Sequence, residues 1–343
     1  MSPWPFTRLL LMPLMVVCGY WLGGWWNFIT PIVCFVIHPL LNIFLNQSEI
    51  NNAPHHQEKN YHPILFRLTA LLYVPVLMGL TIWSIYIITV NEIKGIEFIG
   101  LALSVGIING VIGFTLAHEF IHRHNAIEKT AGYLLLLTNF YMHYGIEHVW
   151  GHHVYACTEK DPHTAKNGES FYSFLPRAVR STFLNAWEIE QKRLKYKKAK
   201  FGFNNHMVLF ILLQSLLLLS IFLLAGWKSI IFFLLLSFIA VLLLHVVNYL
   251  QHYGLQRKAT AAGKIEKMAA HHSWNSGNHL QELNLFQLEN HADHHINPSH
   301  RYEELKPLCD SPQHPTGYSG MILLALIPPL WFRVINKKLL SYN

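Results

Sequence analysis

Nine histidines in four clusters define the chemistry open to this chain. His118 and His122 stand in HEFIH, and His148, His152 and His153 in EHVWGHH. His252 stands in NYLQHYG, and His291, His294 and His295 in NHADHH. Neutral imidazole is a good ligand for iron, zinc, copper and nickel. His118 and His122 are spaced i and i+4, which puts them on one face of a helix. His148 and His152 repeat that spacing, and His153 is read as the neighbour that reaches around the same ion. His291, His294 and His295 are spaced i, i+3 and i+4. A tetrahedral zinc takes at most four ligands, so nine candidates point to at least two metals, or to one metal inside a large polar shell.

Carboxylates are scarce among the clusters. Glu119, Glu147, Glu289 and Asp293 are the main ones. Metal-bound histidines usually give their free N–H to such an acceptor. Asp293 lies between candidate ligands, and Glu119 and Glu147 each precede one, so these three are expected to fill that role. Glu289 fits a solvated or helix-capping role equally well. Asn248 precedes His252 by one helical turn and is expected to support it. His271 and His272 are expected near the metals, with His143 and Trp274 as further supporting or packing residues. His38, His55, His56, His62, His206, His300 and His314 stand apart and read as interfacial or hydrogen-bonded residues.

The segment His118-Glu119-Phe120-Ile121-His122 also matches HExxH, the zinc-protease pattern with the glutamate as general base. A three-ligand zinc site would leave six clustered histidines without a role, which weighs against an intramembrane metalloprotease.

The elements that carry these residues are apolar. Of 343 residues, 52% are hydrophobic and 13% charged, against about 25% charged in an ordinary soluble domain. Mean hydropathy is +0.26. Six apolar runs, 6–25, 27–46, 65–90, 97–117, 206–226 and 229–250, are each near the ~20 residues that cross a bilayer core. The chain is therefore expected to be a single all-α integral-membrane domain of six spans, with catalytic segments 118–205 and 251–320 outside them. The N-terminal run is followed at once by a second, which suits an anchor better than a cleaved leader. Gly132–Gly145 is short and reads as a buried or re-entrant segment. Met321–Val334, broken by Pro328 and Pro329, reads as an interfacial or packing segment.

With six spans, the far-side connections near residue 26, at 91–96 and at 226–228 carry only Lys94 and Lys228 of the 26 lysines and arginines. Positive residues mark the cytoplasmic side, so both termini and all nine histidines are expected there, in a bacterial-type inner membrane. The basic stretch within 155–205 can attract anionic headgroups or dock an acidic protein. Cys18, Cys34, Cys157 and Cys309 form no CxxC pair and build no disulfide or cluster framework.

Taken in order, HEFIHR, EHVWGHH, NYLQHYGL, HHSWNS and LENHADHH resemble the motifs of membrane di-iron alkane 1-monooxygenases of the AlkB type, in the fatty acid desaturase/hydroxylase superfamily. HPLLNIFLNQSEINNAP and NGESFY are similar to that family too, and the resemblance runs from about residue 25 to about residue 305. It departs at Glu289-Asn290, where the family often has a basic residue. The resemblance implies two non-haem iron ions held by His118, His122, His148, His152, His153, His252, His291, His294 and His295. It implies terminal hydroxylation of a medium- or long-chain alkane with O2 and electrons from a rubredoxin and its reductase. Four scattered cysteines cannot build that iron site in cis, so the electron donor is expected to be a separate protein. No nucleic-acid partner is expected. A related oxidase of an alkyl-aromatic methyl group or a fatty acyl chain is the alternative. Selectivity for an unmarked chain end must be steric, which predicts a narrow channel along the spans ending at the metals. Trp21, Trp25 and Trp26 are candidates to plug it, or to form an interfacial belt.

Overall fold

The computed structural model describes residues 3–44, 62–260, 264–276 and 285–342. His55, His56 and most of the HPLLNIFLNQSEINNAP segment lie outside them. Among the described residues the only β-type pairings are two isolated bridges, Ala259 with Ile265 and Asn275 with Gln313. All else of regular structure is helical.

Four helical segments long and apolar enough to cross a bilayer come first: α1 (Trp4–Leu22), α2 (Gly24–Asn42), α3 (Pro63–Val90) and α4 (Gly95–Ile121). Helix α5 (Ala126–Thr138) follows, started by Asn125, whose side chain accepts from the backbone N–H of Ile127 and Glu128. It packs across the end of α4, so the Gly132–Gly145 run is a buried layer and not a span. Three short helical turns over 144–155 form α6. The long basic helix α7 (Phe171–Tyr196) is capped by Ser170.

The 47-residue helical stretch His206–His252 is the fifth apolar segment, and it breaks at Gly226 (φ 77°, ψ 177°). A φ of this kind is the conformation only glycine adopts at little cost. Two contacts show that the chain reverses there. Gln214 accepts from the Met142 backbone N–H at 3.0 Å, and His245 Nε2 meets Tyr141 Oη at 2.8 Å. In one straight helix residues 214 and 245 would lie about 46 Å apart. They touch adjacent residues instead, so the stretch is two antiparallel helices, α8 (206–225) and α9 (227–252). The two apolar runs 206–226 and 229–250 correspond to them.

Helix α10 (His291–Ile296) carries the last histidine cluster. The Met321–Val334 run divides between α11 (Tyr318–Ala325) and α12 (Pro328–Leu339), each too short to span. Helix α12 buries Trp331, Ile335 and Leu339 along one face.

Side-chain bonds fix which ends of the helices lie together. Asn91 donates to Tyr20 Oη at 3.0 Å, Glu97 accepts from Gly24 N–H at 2.6 Å, and Thr89 Oγ1 meets Ser229 Oγ at 3.1 Å. The three reversals at Gly23–Gly24, 91–94 and Gly226 therefore share one end of the bundle. His118 and His252 lie at the opposite ends of α4 and α9. Those two helices approach closely. A Cβ on Gly106 would meet Leu236 O at 2.8 Å, and one on Gly110 would meet Leu243 Cδ1 at 2.8 Å. Small residues at such crossings let backbones pack tightly in membranes, and here they set the spacing of His118 and His252.

Candidate metal centre

All nine clustered histidines converge where α4, α6, α9 and α10 meet. They sort into two groups whose ligand nitrogens lie within 4.8 Å of one another. One group is His118, His122, His148, His153 and His294; the other is His152, His252, His291 and His295.

Local helix geometry makes this division. His148–His152 is a π-turn, in which residues five apart align in place of residues four apart. His148 and His153 therefore face the same way, with Nε2 atoms 3.0 Å apart, and His153 Nε2 is also 3.0 Å from His294 Nε2. His152 turns to the other group, 3.1 Å from His295 Nε2. The expected pairing of His148 with His152 around one ion is thus corrected. Helix α10 is ordinary, so His291 and His295 pair at 3.0 Å and His294 looks into the first group.

The nitrogens suit cations. Metal–imidazole bonds of about 2.1 Å meeting near right angles put neighbouring nitrogens about 3.0 Å apart, as found. His118, His122 and His252 direct buried Nε2 atoms that have no hydrogen-bond partner. Burial first, and then the neighbouring imidazoles, hold His148, His153, His291, His294 and His295 well below the usual histidine pKa. They are neutral, as ligation requires.

The residues around the ligands differ from the expectation. Asp161 holds His152: its Oδ2 is 3.0 Å from His152 Nδ1 and accepts from Thr164 Oγ1 at 2.6 Å. His252 Nδ1 is 3.3 Å from the His272 carbonyl, to which the Cys157 thiol donates at 2.9 Å. His272 thus serves through its backbone.

The three acids named from sequence make other contacts. Glu119 pairs with Arg123 at 2.8 Å. Glu147 accepts from His163 Nε2 at 2.7 Å, and Asn248 donates to His163 Nδ1 at 2.7 Å. Asp293 accepts from Asn297 at 2.8 Å and from the Lys306 backbone at 3.0 Å. Asp161 and His163 lie in KDPHT, nine and eleven residues past His152. Their proximity to the metal ligands is made by a turn that no periodic pattern announces.

His271, His272 and Glu266 form a third close group, but it does not fit a metal. His272 Nδ1 accepts from Ala269 N–H at 3.0 Å, so the proton sits on Nε2, which faces Glu266 Oε1 at 3.2 Å.

His143 packs on the Tyr141 ring at 4.1 Å, and Trp274 stacks on His314 at 5.2 Å while donating to Tyr253 O. Among the histidines read as isolated, His38, His62, His206, His300 and His314 join neither the five-histidine nor the four-histidine group. The protease reading fails on two counts: HEFIH belongs to a five-histidine group, and Glu119 is tied to Arg123.

An apolar cavity reaches the centre. Its walls include Val111, Phe114, Leu243, Leu244, Val247 and Ile322, and it touches His118 of one group and His291 of the other. Trp21, Trp25 and Trp26 are 75%, 73% and 55% exposed at the α1–α2 turn and line none of it. Of the two roles considered for them, the plug is excluded.

Comparison with known proteins agrees with this geometry. The fatty acid desaturase family model matches residues 96–318. Alkane 1-monooxygenase 1 of Pseudomonas aeruginosa is 38% identical over 97% of this chain and 90% of its own length. Alkane 1-monooxygenase of Pseudomonas putida is 33% identical over 99% and 84%. The xylene/toluene monooxygenase hydroxylase component of Pseudomonas putida is 28% identical over 96% and 88%. A histidine-lined centre on an all-helical membrane scaffold, matched along nearly its whole length, places this chain in the fatty acid desaturase family, among its alkane 1-monooxygenases.

Proposed function

We propose that the chain hydroxylates the terminal carbon of a medium- or long-chain n-alkane with O2. Five histidines would hold one iron and four a second. The observation that carries this reading is an apolar cavity that touches one histidine of each group. An alkane offers only burial, worth ~0.8 kcal/mol per CH2, and the walls provide it through Leu243, Leu244, Val247 and Ile322. The cavity meets the centre at His118 and His291, where a chain end would arrive.

Bound iron supplies the reduction of O2 and the oxidation of the C–H bond. The protein's part is to orient the chain end, keep water out and hold neutral imidazoles in place. Asp161 fixes the His152 ring with Nδ1 protonated and Nε2 free. Carboxylates of Asp161 and Glu147, buried beside an otherwise all-imidazole set, offset the charge that two cations bring.

The electrons are assigned to a separate rubredoxin with its reductase. Six crossings with both termini and the centre on the cytoplasmic side of an inner membrane fit the hairpin at Gly226 and the lysine and arginine distribution. An alkyl-aromatic methyl group is the second substrate reading, favoured by the xylene/toluene relative; the more similar alkane 1-monooxygenase relatives favour the linear chain.

The test is product analysis with purified, iron-loaded protein, rubredoxin, its reductase and labelled O2, across an alkane length series with p-xylene alongside. A labelled 1-alkanol is the expected product. Unlabelled alcohol, or turnover of p-xylene alone, overturns the proposal.

A further inference from the structure

We propose that the turn joining α7 to α8 is a docking surface for anionic phospholipid headgroups. Lys195, Lys197, Lys198 and Lys200 are exposed there, and no carboxylate pairs with any of them among the described residues. Lys192, by contrast, is matched by Glu188 at 2.7 Å. Three aromatic rings stand among the free lysines: Tyr196 is 88% exposed, Phe201 68% and Phe203 80%.

The turn is built, not loose. Glu190 accepts from Arg193 Nε at 2.7 Å and from the His206 backbone N–H at 2.7 Å. Arg193 donates to Asn204 O at 2.6 Å, and Asn205 caps α8 by accepting from Met207 and Val208. Acid and guanidinium are thus spent internally, which leaves the lysines and rings facing outward.

Position decides the partner. Helix α8 turns apolar immediately after His206, so the turn sits at the edge of a span. It lies at the bundle end that carries the metal centre, because Gln214 of α8 binds Met142 beside α6. Aromatic rings at the rim of a span settle in the headgroup layer, and lysines there are drawn to an anionic leaflet. An acidic protein would match the lysines but would leave the rings without an apolar environment. This inference does not depend on which metal the histidines hold.

The experiment uses the full chain in nanodiscs doped with spin-labelled phosphatidylglycerol or phosphatidylcholine, reading the motionally restricted fraction by electron spin resonance. Wild type is expected to hold severalfold more phosphatidylglycerol. The combined variant Lys195→Gln, Lys197→Gln, Lys198→Gln, Lys200→Gln should lose at least half of that selectivity. A control with Lys160→Gln, Lys166→Gln, Lys258→Gln and Lys306→Gln should keep it. Circular dichroism and metal content establish that each variant is folded; if the fourfold variant is not, the double variant Lys197→Gln, Lys200→Gln is read by the same criterion. Full lipid selectivity without the four lysines overturns the proposal. So does retained selectivity joined to a raised requirement for the electron-donor protein, which would assign the surface to an acidic partner.

Discussion

His148 and His153 meet through Nε2 atoms 3.0 Å apart, while His152, their neighbour in the chain, faces His295 at 3.1 Å. The π-turn at His148–His152 causes this, since it aligns residues five apart. One short segment thereby serves both histidine groups.

Adjacent substitutions should accordingly act on different metals. His153→Ala is expected to empty the five-histidine position and His152→Ala the four-histidine position, each leaving about one iron of two. Elemental analysis together with Mössbauer spectroscopy should give two different residual spectra. The same residual site in both variants would rule out the division.

Asp161 should matter more than Asp293. Asp161 touches a ligand ring, and loss of such a partner typically costs ~10–100-fold in metal affinity or activity. Asp161→Asn should release iron to a chelator faster by about that factor. Asp293→Asn, which loses contacts to Asn297 and the Lys306 backbone, should change chelation much less. Equal rates would remove Asp161 from its assigned role.

Chain length should respond to Val111. It lies seven residues before His118 on α4, hence about 10 Å into the membrane from the metals, and it lines the cavity. Val111→Phe should shorten the longest accepted alkane while sparing short ones. Each methylene denied burial costs ~0.8 kcal/mol, close to fourfold in kcat/KM. A uniform loss across the series would show that Val111 does not bound the chain.

Arg123 should be needed for stability. It pairs with Glu119 and donates to the Ser299 and His300 carbonyls at 2.6 Å each, tying the end of α4 to the strand of chain after α10. Arg123→Ala would leave Glu119 buried without its partner, a change that usually costs ~3–5 kcal/mol. Thermal unfolding in detergent is the measurement, and an unchanged midpoint would deny the tie.

Acid should destabilise the metal-free protein. His148, His153, His291, His294 and His295 have folded pKa values held well below 6.5 by burial and then by one another. The unfolded chain therefore binds more protons below about pH 6.5. Stability from this source is complete above that pH and is lost as the pH falls through it. Metal loading should move the loss to lower pH. A midpoint insensitive to pH between 7 and about 5 would contradict the neutral, buried state.

The nine histidines and their helical carriers were legible from the sequence because ligand type and apolar run length are local properties. The same holds for the hairpin between 206 and 250, whose two runs stand apart even though their helices abut at Gly226. Which histidine serves which group was not legible. A strict i, i+4 rule joins His148 to His152, and only the π-turn at His148–His152 reverses that choice. The partners of the ligands were hidden for a similar reason. Asp161 and the His272 carbonyl reach His152 and His252 through irregular turns, Glu147 meets His163 sixteen residues on, and Glu119 takes Arg123 one helical turn on in place of a ligand ring. A buried acid takes its nearest donor, local for Glu119 and brought by the tertiary fold for Glu147, and sequence adjacency to a ligand does not decide which.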